Sequence, residues 1–200
     1  MTLKVHATHG SDSLTTQNPL CAEFFLASTV KTFYRKMLFL DRDGVINEDL
    51  NYVYTQDKTI LIEDTIQLIQ KATSLDIGIS VISNQAGIAR GFYTESDLVS
   101  YSKWLLDATL GSLGVRIDSF WYCPSHPEGI IERYRLSCQC RKPGNLLLEA
   151  ARSFHEIQPS RVLFVGDKES DASAASNSGF NYVDVSNSQW LHLIDEFITS

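Results

Sequence analysis

The 200-residue sequence lacks the features on which membrane, secreted and nucleic-acid-binding proteins depend. No apolar run approaches the roughly 20 residues that cross a bilayer. Residues 20–30, interrupted by Glu23 and without a charged leader, would make a poor signal peptide. The chain has fewer basic than acidic residues, with 17 Lys and Arg against 24 Asp and Glu, and its net charge is −7. This balance argues against sequence-independent binding to nucleic acid, so we expect no membrane and no nucleic-acid partner.

Cysteine is also scarce, with four in the chain. Three of them, Cys123, Cys138 and Cys140, lie close together in sequence with His126. Such a cluster suits metal binding in a reducing compartment better than a disulfide framework. We therefore expect a cytoplasmic protein, and the length allows one domain with a substantial core.

The most informative segment joins an apolar run to two carboxylates. Residues 37–40 have the composition of a buried strand, and Asp41 and Asp43 follow where that strand would end. Side chains alternate along an extended chain, so both carboxylates would point the same way, and Gly44 allows a sharp turn. Two like charges this close favour a divalent cation or a proton, and a carboxylate at a strand end can attack phosphorus. The alternative is a solvated Asp-x-Asp-Gly turn.

Other polar and charged residues lie at the ends of predicted strands or just before a predicted helix. Ser83 comes after the apolar residues 78–82, Arg141 and Lys142 precede a predicted helix, and Asp167 follows residues 162–165. Hydroxyl groups and cations at such positions can hold phosphate oxygens. Each piece alone is a weak signal, but their order favours a phosphate-handling site.

Strand-like and helical segments alternate from residue 37 onward. We predict strands over residues 37–40, 77–82, 117–122, 161–165 and 182–185, and helices over residues 63–75, 94–113, 145–154, 172–177 and 190–197. Repeated βα units predict a Rossmann-like three-layer α/β/α sandwich with a mostly parallel sheet, which binds ligands at the carboxyl ends of its strands. Residues 37–200 form this domain. Residues 1–36 carry no motif and are assigned as an N-terminal extension of unknown role, with a short helix over residues 22–33 as an alternative.

Together these segments are similar to the signature of the haloacid dehalogenase-like phosphohydrolases. The similarity covers residues 37–171 and rests on Asp-Arg-Asp-Gly-Val-Ile-Asn (41–47), Ser-Asn-Gln-Ala-Gly-Ile-Ala-Arg-Gly (83–91), Cys-Arg-Lys-Pro (140–143) and Gly-Asp-Lys-Glu-Ser-Asp (166–171). Within the superfamily the chain resembles the subgroup of D-glycero-D-manno-heptose-1,7-bisphosphate 7-phosphatases and histidinol-phosphate phosphatases. Many relatives insert a cap domain, for which residues 47–64 and 90–117 leave no room, so we expect an open site without a large cap domain.

The resemblance assigns catalytic roles to four residues. Asp41 would be the nucleophile that takes the phosphoryl group, and Asp43 would be the acid/base that protonates the leaving alkoxide and then activates water. Ser83 and Lys142 would bind the phosphoryl oxygens, over which charge spreads in a loose transition state.

The resemblance also implies a cofactor and a set of substrate contacts. Mg²⁺ would lie between Asp41, the backbone carbonyl of Asp43 and Asp167, since hard oxygen ligands suit this ion. Lys168 would neutralise excess charge beside the metal, and Asp171 would hold Lys168 or a metal-bound water. Substrate contacts are expected from Asp49, Asn51, Tyr52, Asn84, Gln85, Arg90 and Arg141.

A second metal is implied by the cysteine cluster. Cys123, His126, Cys138 and Cys140 would hold a structural Zn²⁺, for which three thiolates and one imidazole are a suitable tetrahedral set. The subgroup's usual spacing is Cys-x-His, whereas this chain has Ser125 at that position and its histidine one residue later. A three-thiolate site completed by water and a metal-free loop are therefore the alternatives.

The predicted function is a Mg²⁺-dependent phosphomonoesterase that acts on a sugar phosphate through an aspartyl phosphate. The first substrate is D-glycero-D-manno-heptose 1,7-bisphosphate, and histidinol phosphate is the second. A catalytically inactive binding protein on the same fold is the alternative from a different class, against which the intact Asp41, Asp43, Lys142 and Asp167 argue. A monomer is the default expectation.

Overall fold

The computed structural model describes residues 33–200 together with two short N-terminal strands, Lys4–Val5 (β1) and Glu23–Leu26 (β2). The helix considered for residues 22–33 is wrong where residues 23–26 form β2, and residues 22 and 27–32 lie outside the described residues. Within the described part of the chain, no helix is long and apolar enough to cross a membrane.

Seven strands form one sheet in the order β1-β2-β5-β4-β3-β6-β7. The five strands of the main domain are Met37–Leu40 (β3), Gly78–Asn84 (β4), Ser119–Cys123 (β5), Val162–Gly166 (β6) and Asn181–Asp184 (β7). These five are mutually parallel, whereas β1 and β2 add antiparallel strands beyond β5. The predicted mostly parallel sheet is therefore confirmed.

Helices cover both faces of this sheet. They are Glu63–Ser74 (α1), Ala86–Ala89 (α2), Glu95–Lys103 (α3), Leu146–Phe154 (α4), Glu169–Ser178 (α5) and Trp190–Thr199 (α6). Because side chains of β3 alternate, Leu38 and Leu40 pack into a core with α1, α3 and α6. Met37 and Phe39 pack into a second core with α4 and α5. The two cores on opposite faces give the predicted three layers.

The connections leave the carboxyl edge of the sheet open. Residues 47–61 form a loop closed by a bridge between Asn47 and Leu61. The α3 helix begins at a capping box between Thr94 and Asp97, then continues through a wider π-helical turn and a final 3-10 turn that ends at Leu113. Within residues 33–200 no connection therefore contains a cap domain, as the sequence predicts.

The residues just before β3 are packed against the domain. The Tyr34 hydroxyl donates to Asp118 Oδ1 at 2.6 Å, and the Lys36 ammonium donates to the Phe197 carbonyl oxygen at 2.7 Å near the end of α6. A cation at that position also complements the negative end of the helix dipole. Residues 34–36 thus share contacts with the main domain, although we counted them in the extension.

Candidate active site

The site lies where three adjacent parallel strands end. Leu40 in β3 pairs with Val81 in β4 and with Val165 in β6, which brings the following residues to one edge. Asp41 is buried there and its backbone N–H donates to the Val165 carbonyl oxygen at 2.9 Å. The conformation of Gly44, with φ of 85°, lets its backbone approach Asp167, whose Oδ2 would lie 2.2 Å from an added Cβ. Only glycine fits this approach.

Lys142 neutralises the buried carboxylates. Its ammonium lies 2.9 Å from Asp41 Oδ2 and 2.7 Å from Asp171 Oδ1, and it donates to the Ile82 carbonyl oxygen at 3.0 Å. Burial opposes the charge of Lys142, but the two carboxylates outweigh it and raise the pKa of this ammonium. Burial raises the pKa of Asp41 to about 7 although Lys142 acts in the opposite direction. The nucleophile therefore needs compensating positive charge to stay ionised.

The acidic residues also form a candidate metal site. Oxygens of Asp41, Asp167 and Asp171 lie within 4.8 Å of one another, the only such group of three or more His, Cys, Asp or Glu ligand atoms found in the described residues. Asp167 Oδ1 is buried and accepts no hydrogen bond, which leaves it available to a cation. Burial raises the pKa of Asp167, with Lys168 opposing the shift. This donor set fits Mg²⁺, which prefers carboxylate oxygens.

Asp171 contacts Lys142, which the sequence did not predict, as well as the backbone of Lys168. Besides contacting Lys142, its Oδ2 accepts hydrogen bonds from the backbone N–H groups of Asp167 at 3.3 Å and Lys168 at 3.2 Å. The side chain of Lys168 contacts Asp49 instead, at 2.9 Å, and Asp167 at 3.5 Å. Asp171 therefore contacts Lys168 through the backbone and not through its ammonium, and the other role predicted for Asp171, holding a metal-bound water, stays a prediction.

Asp43 is surrounded by donors. Its carboxylate accepts three hydrogen bonds from the fork of Arg42, two from Nη2 at 2.9 and 2.7 Å and one from Nε at 3.1 Å. Asn47 Nδ2 donates to it at 2.9 Å and Gln85 Nε2 at 3.4 Å. Gln85 Nε2 also donates to Ser83 Oγ at 2.7 Å, so one amide connects the predicted acid/base with the predicted phosphoryl ligand.

A cavity of about 420 Å³ opens above these groups. It brings together three of the four catalytic candidates and all seven predicted substrate contacts, since its lining includes Asp41, Asp43, Lys142, Lys168, Asp49, Asn51, Tyr52, Asn84, Gln85, Arg90 and Arg141. The fourth candidate, Ser83, is buried and does not line the cavity. Arg90 reaches Glu128 at 3.3 Å, a pair whose acidic partner is exposed. Exposed ion pairs are weak, so this guanidinium remains available to an anion.

Comparison with known proteins places this geometry in a family. A family model described as HAD-hydrolase-like matches residues 139–188. The D-glycero-beta-D-manno-heptose-1,7-bisphosphate 7-phosphatase of Salmonella typhi is 40% identical over 144 residues, 71% of this chain and 76% of that protein. The corresponding alpha-anomer enzyme of Burkholderia mallei is also 40% identical over 144 residues, with 72% and 76% covered. The chain belongs to the heptose-bisphosphate phosphatase branch of the haloacid dehalogenase-like hydrolases.

A solved structure of this branch agrees in fold. The D,D-heptose 1,7-bisphosphate phosphatase of B. bronchiseptica, complexed with magnesium and phosphate, is 29% identical and superimposes with a TM-score of 0.66 over 74% of this chain and 78% of that one. The predicted superfamily, subgroup and phosphatase activity are confirmed by these relatives.

The loop of residues 48–53, here named the substrate loop, is held over the site. Asp49 is paired with Lys168, which outweighs the effect of burial and lowers the Asp49 pKa. The next turn has two non-glycine residues in the left-handed region, Asn51 at φ 60° and Tyr52 at φ 57°. Such strained backbone persists where surrounding contacts fix it, and here the Tyr52 ring lies 4.6 Å from that of Phe92.

The predicted zinc ligands are brought together only in part. The Sγ atoms of Cys123 and Cys138 are 3.5 Å apart, near the ~3.8 Å that two thiolates on one tetrahedral Zn²⁺ would have. His126 Nδ1 instead accepts from the backbone N–H of Glu128 at 3.1 Å, and its Nε2 lies 3.4 Å from Arg90. Two thiolates thus fit zinc and the imidazole has other partners. Cys140 does not form with them a set of three ligand atoms within 4.8 Å of one another.

Sequence reasoning missed Arg42 and Tyr93. Arg42 is fully buried, and the Tyr93 hydroxyl donates to Gln85 Oε1 at 2.6 Å and fixes that amide. The signal for Arg42 was its place between two acidic residues, where a cation has a partner on either side. No local pattern marks Tyr93, because its contact depends on how the chain after α2 folds back.

Proposed function

We propose that the chain is a Mg²⁺-dependent phosphomonoesterase that removes the 7-phosphate of D-glycero-D-manno-heptose 1,7-bisphosphate through an aspartyl phosphate. The observation that carries this proposal is the buried group of Asp41, Lys142 and Asp171 with Asp167 beside it, at the base of an open cavity. A nucleophile, a phosphoryl-binding cation and a metal-binding carboxylate meet there, as aspartyl-phosphate chemistry requires.

In the first step a carboxylate oxygen of Asp41 attacks the 7-phosphorus. The bond from phosphorus to the sugar oxygen breaks, its electron pair stays on that oxygen, and Asp43 gives the oxygen a proton. In the second step Asp43 takes a proton from water, whose oxygen attacks the aspartyl phosphate and frees Asp41 and inorganic phosphate. Lys142 and Ser83 hold the phosphoryl oxygens throughout. Mg²⁺ held by Asp41, Asp167 and the Asp43 carbonyl would neutralise charge on the nucleophile and the phosphoryl group.

The second phosphate of the substrate accounts for two arginines in the cavity. Arg90 and Arg141 line it, and guanidinium groups bind phosphate in a forked geometry. Arg141 is only loosely held, with one hydrogen bond of 3.5 Å to the Ser125 carbonyl oxygen. We assign these two arginines to the 1-phosphate, with Asp49, Asn51, Tyr52 and Asn84 around the sugar.

Three further assignments complete the proposal. Cys123, Cys138 and Cys140 hold a structural Zn²⁺ that stabilises the segment before Arg141, because thiolates prefer zinc to magnesium. The enzyme acts as a monomer. It works in the cytoplasm, since reduced thiols are needed for the zinc site.

The substrate is tested by turnover of both anomers of heptose 1,7-bisphosphate, heptose 7-phosphate and histidinol phosphate with Mg²⁺. We expect the bisphosphate to have the highest kcat/KM, and Asp41→Asn serves as the control without a nucleophile. Arg90→Ala and Arg141→Ala should raise KM for the bisphosphate more than for heptose 7-phosphate. Preference for histidinol phosphate would overturn the substrate, and release of phosphate by Asp41→Asn would overturn the covalent mechanism.

A further inference from the structure

A fully buried arginine lies directly beneath the acid/base and has no place in the chemistry described so far. Arg42 is 0% exposed, and three hydrogen bonds connect its Nε and Nη2 with the Asp43 carboxylate. Burying a guanidinium is costly unless its contacts compensate, and an apolar residue of similar volume would serve packing alone as well or better. The position therefore points to a role beyond packing.

The same guanidinium also reaches the substrate loop. Arg42 Nη2 donates to the Val53 carbonyl oxygen at 2.7 Å, one residue beyond Tyr52, which lines the cavity. Beneath it, the Tyr101 ring lies 5.3 Å from the guanidinium carbon and supports its plane. One rigid, planar group thus connects the acid/base with the loop that borders the substrate.

We propose that Arg42 is a positioning residue that orients the Asp43 carboxyl towards the leaving oxygen. Through its contact with Val53, it also links this orientation to the position of the substrate loop. The inference rests on the proposed phosphatase function. A planar fork fixes the orientation of a carboxylate, whereas a single donor would let it rotate. Misplacing a catalytic group by about 1 Å can cost about 100-fold in rate, so the effect of this fork is measurable.

The test compares two phosphate esters in the same preparation. Transfer to Asp41 from an alkyl ester such as heptose bisphosphate needs a proton from Asp43, whereas p-nitrophenolate leaves largely without one. The quantity measured is the ratio of kcat/KM for the alkyl ester to kcat/KM for p-nitrophenyl phosphate. This ratio reports formation of the aspartyl phosphate and does not change with the fraction of folded enzyme.

For Arg42→Met we expect this ratio to fall about 10-fold or more, part of the ~10²–10⁴-fold that a general acid contributes. Arg42→Lys keeps the charge without the planar fork, so its ratio should lie between those of Arg42→Met and the wild-type protein. Tyr101→Phe, which keeps the supporting ring and loses only its hydroxyl contact with Thr59, is the matched control and should leave the ratio unchanged. In an Asp43→Asn background, Arg42→Lys should lower the ratio no further.

The outcomes separate the two hypotheses. If the wild-type protein hydrolyses neither ester, the proposed function fails. If it hydrolyses both esters and Arg42→Met lowers kcat/KM equally for the two, Arg42 has only a structural role and the inference is overturned. Should Arg42→Met not fold, Arg42→Lys decides by the same ratio: a wild-type value overturns the inference and a lower one supports it.

Discussion

Replacing Lys142 by methionine should destabilise the fold as well as abolish turnover. The ammonium has two carboxylate partners, Asp41 and Asp171, and a carbonyl partner, all within 3.0 Å. Removing one side of a buried ion pair costs about 3–5 kcal/mol, because the remaining charge is left without compensation. At an m-value of about 2 kcal/mol per M, the urea midpoint should fall by about 2 M. The assay is equilibrium unfolding in urea without Mg²⁺.

The pH dependence of the stability lost in Lys142→Met gives a sharper test. Burial raises the folded-state pKa of Asp41 to about 7, above its unfolded value, so protonation between about pH 7 and pH 4 stabilises the folded state. Without Lys142 this carboxyl should protonate still more readily. The destabilisation by Lys142→Met should therefore be larger at pH 8 than at pH 5.

A second variant serves as the control for charge. Lys142→Met combined with Asp171→Asn removes the cation and one of its carboxylates, and it should be more stable than Lys142→Met alone. A midpoint equal to that of the wild-type protein, or a loss of the same size at pH 8 and pH 5, would refute the argument from uncompensated charge.

Three other predictions concern the chemistry. Asp41→Asn should keep its fold but lose turnover by about 10⁴-fold or more, because an amide cannot attack phosphorus; phosphate-release kinetics and circular dichroism check this. Asp167→Ala should weaken Mg²⁺ binding by about 100-fold or more, measured by calorimetry, and full wild-type activity in EDTA would contradict the magnesium site. Metal analysis should find about one zinc per chain and less in Cys123→Ser, whereas less than about a tenth of a zinc in wild-type protein would leave a metal-free loop.

The sequence predicts the fold well where the period of apolar residues is clear. Every predicted strand and helix from residue 37 onward is present, and the N-cap of α3 is Thr94, where the predicted helix begins. The N-terminal strand β2 was not predicted, because four residues of mixed polarity carry no clear period, and their pairing with β5 involves residues about a hundred positions away.

The sequence predicts which residues form the site, but it does not predict which of them contact one another. Asp41 and Asp167 come from motifs at strand ends, and those ends meet by the geometry of a parallel sheet. Lys142 comes from the motif that precedes α4. That Asp171 pairs with Lys142 depends instead on how the start of α5 packs against the loop before α4, which no local pattern contains. His126 shows the same limit: its place near the three cysteines suggested a metal, and the folded loop gives both ring nitrogens other neighbours.

The pairing of β2 with β5 has a consequence for handling the protein. All five residues of β5 are buried, and without β2 one side of this strand would present unpaired backbone groups at the rim of the sheet. Exposed strands of this kind recruit further strands from other molecules. An expression product that starts at Met37 would keep every residue of the site, yet it should self-associate through β5.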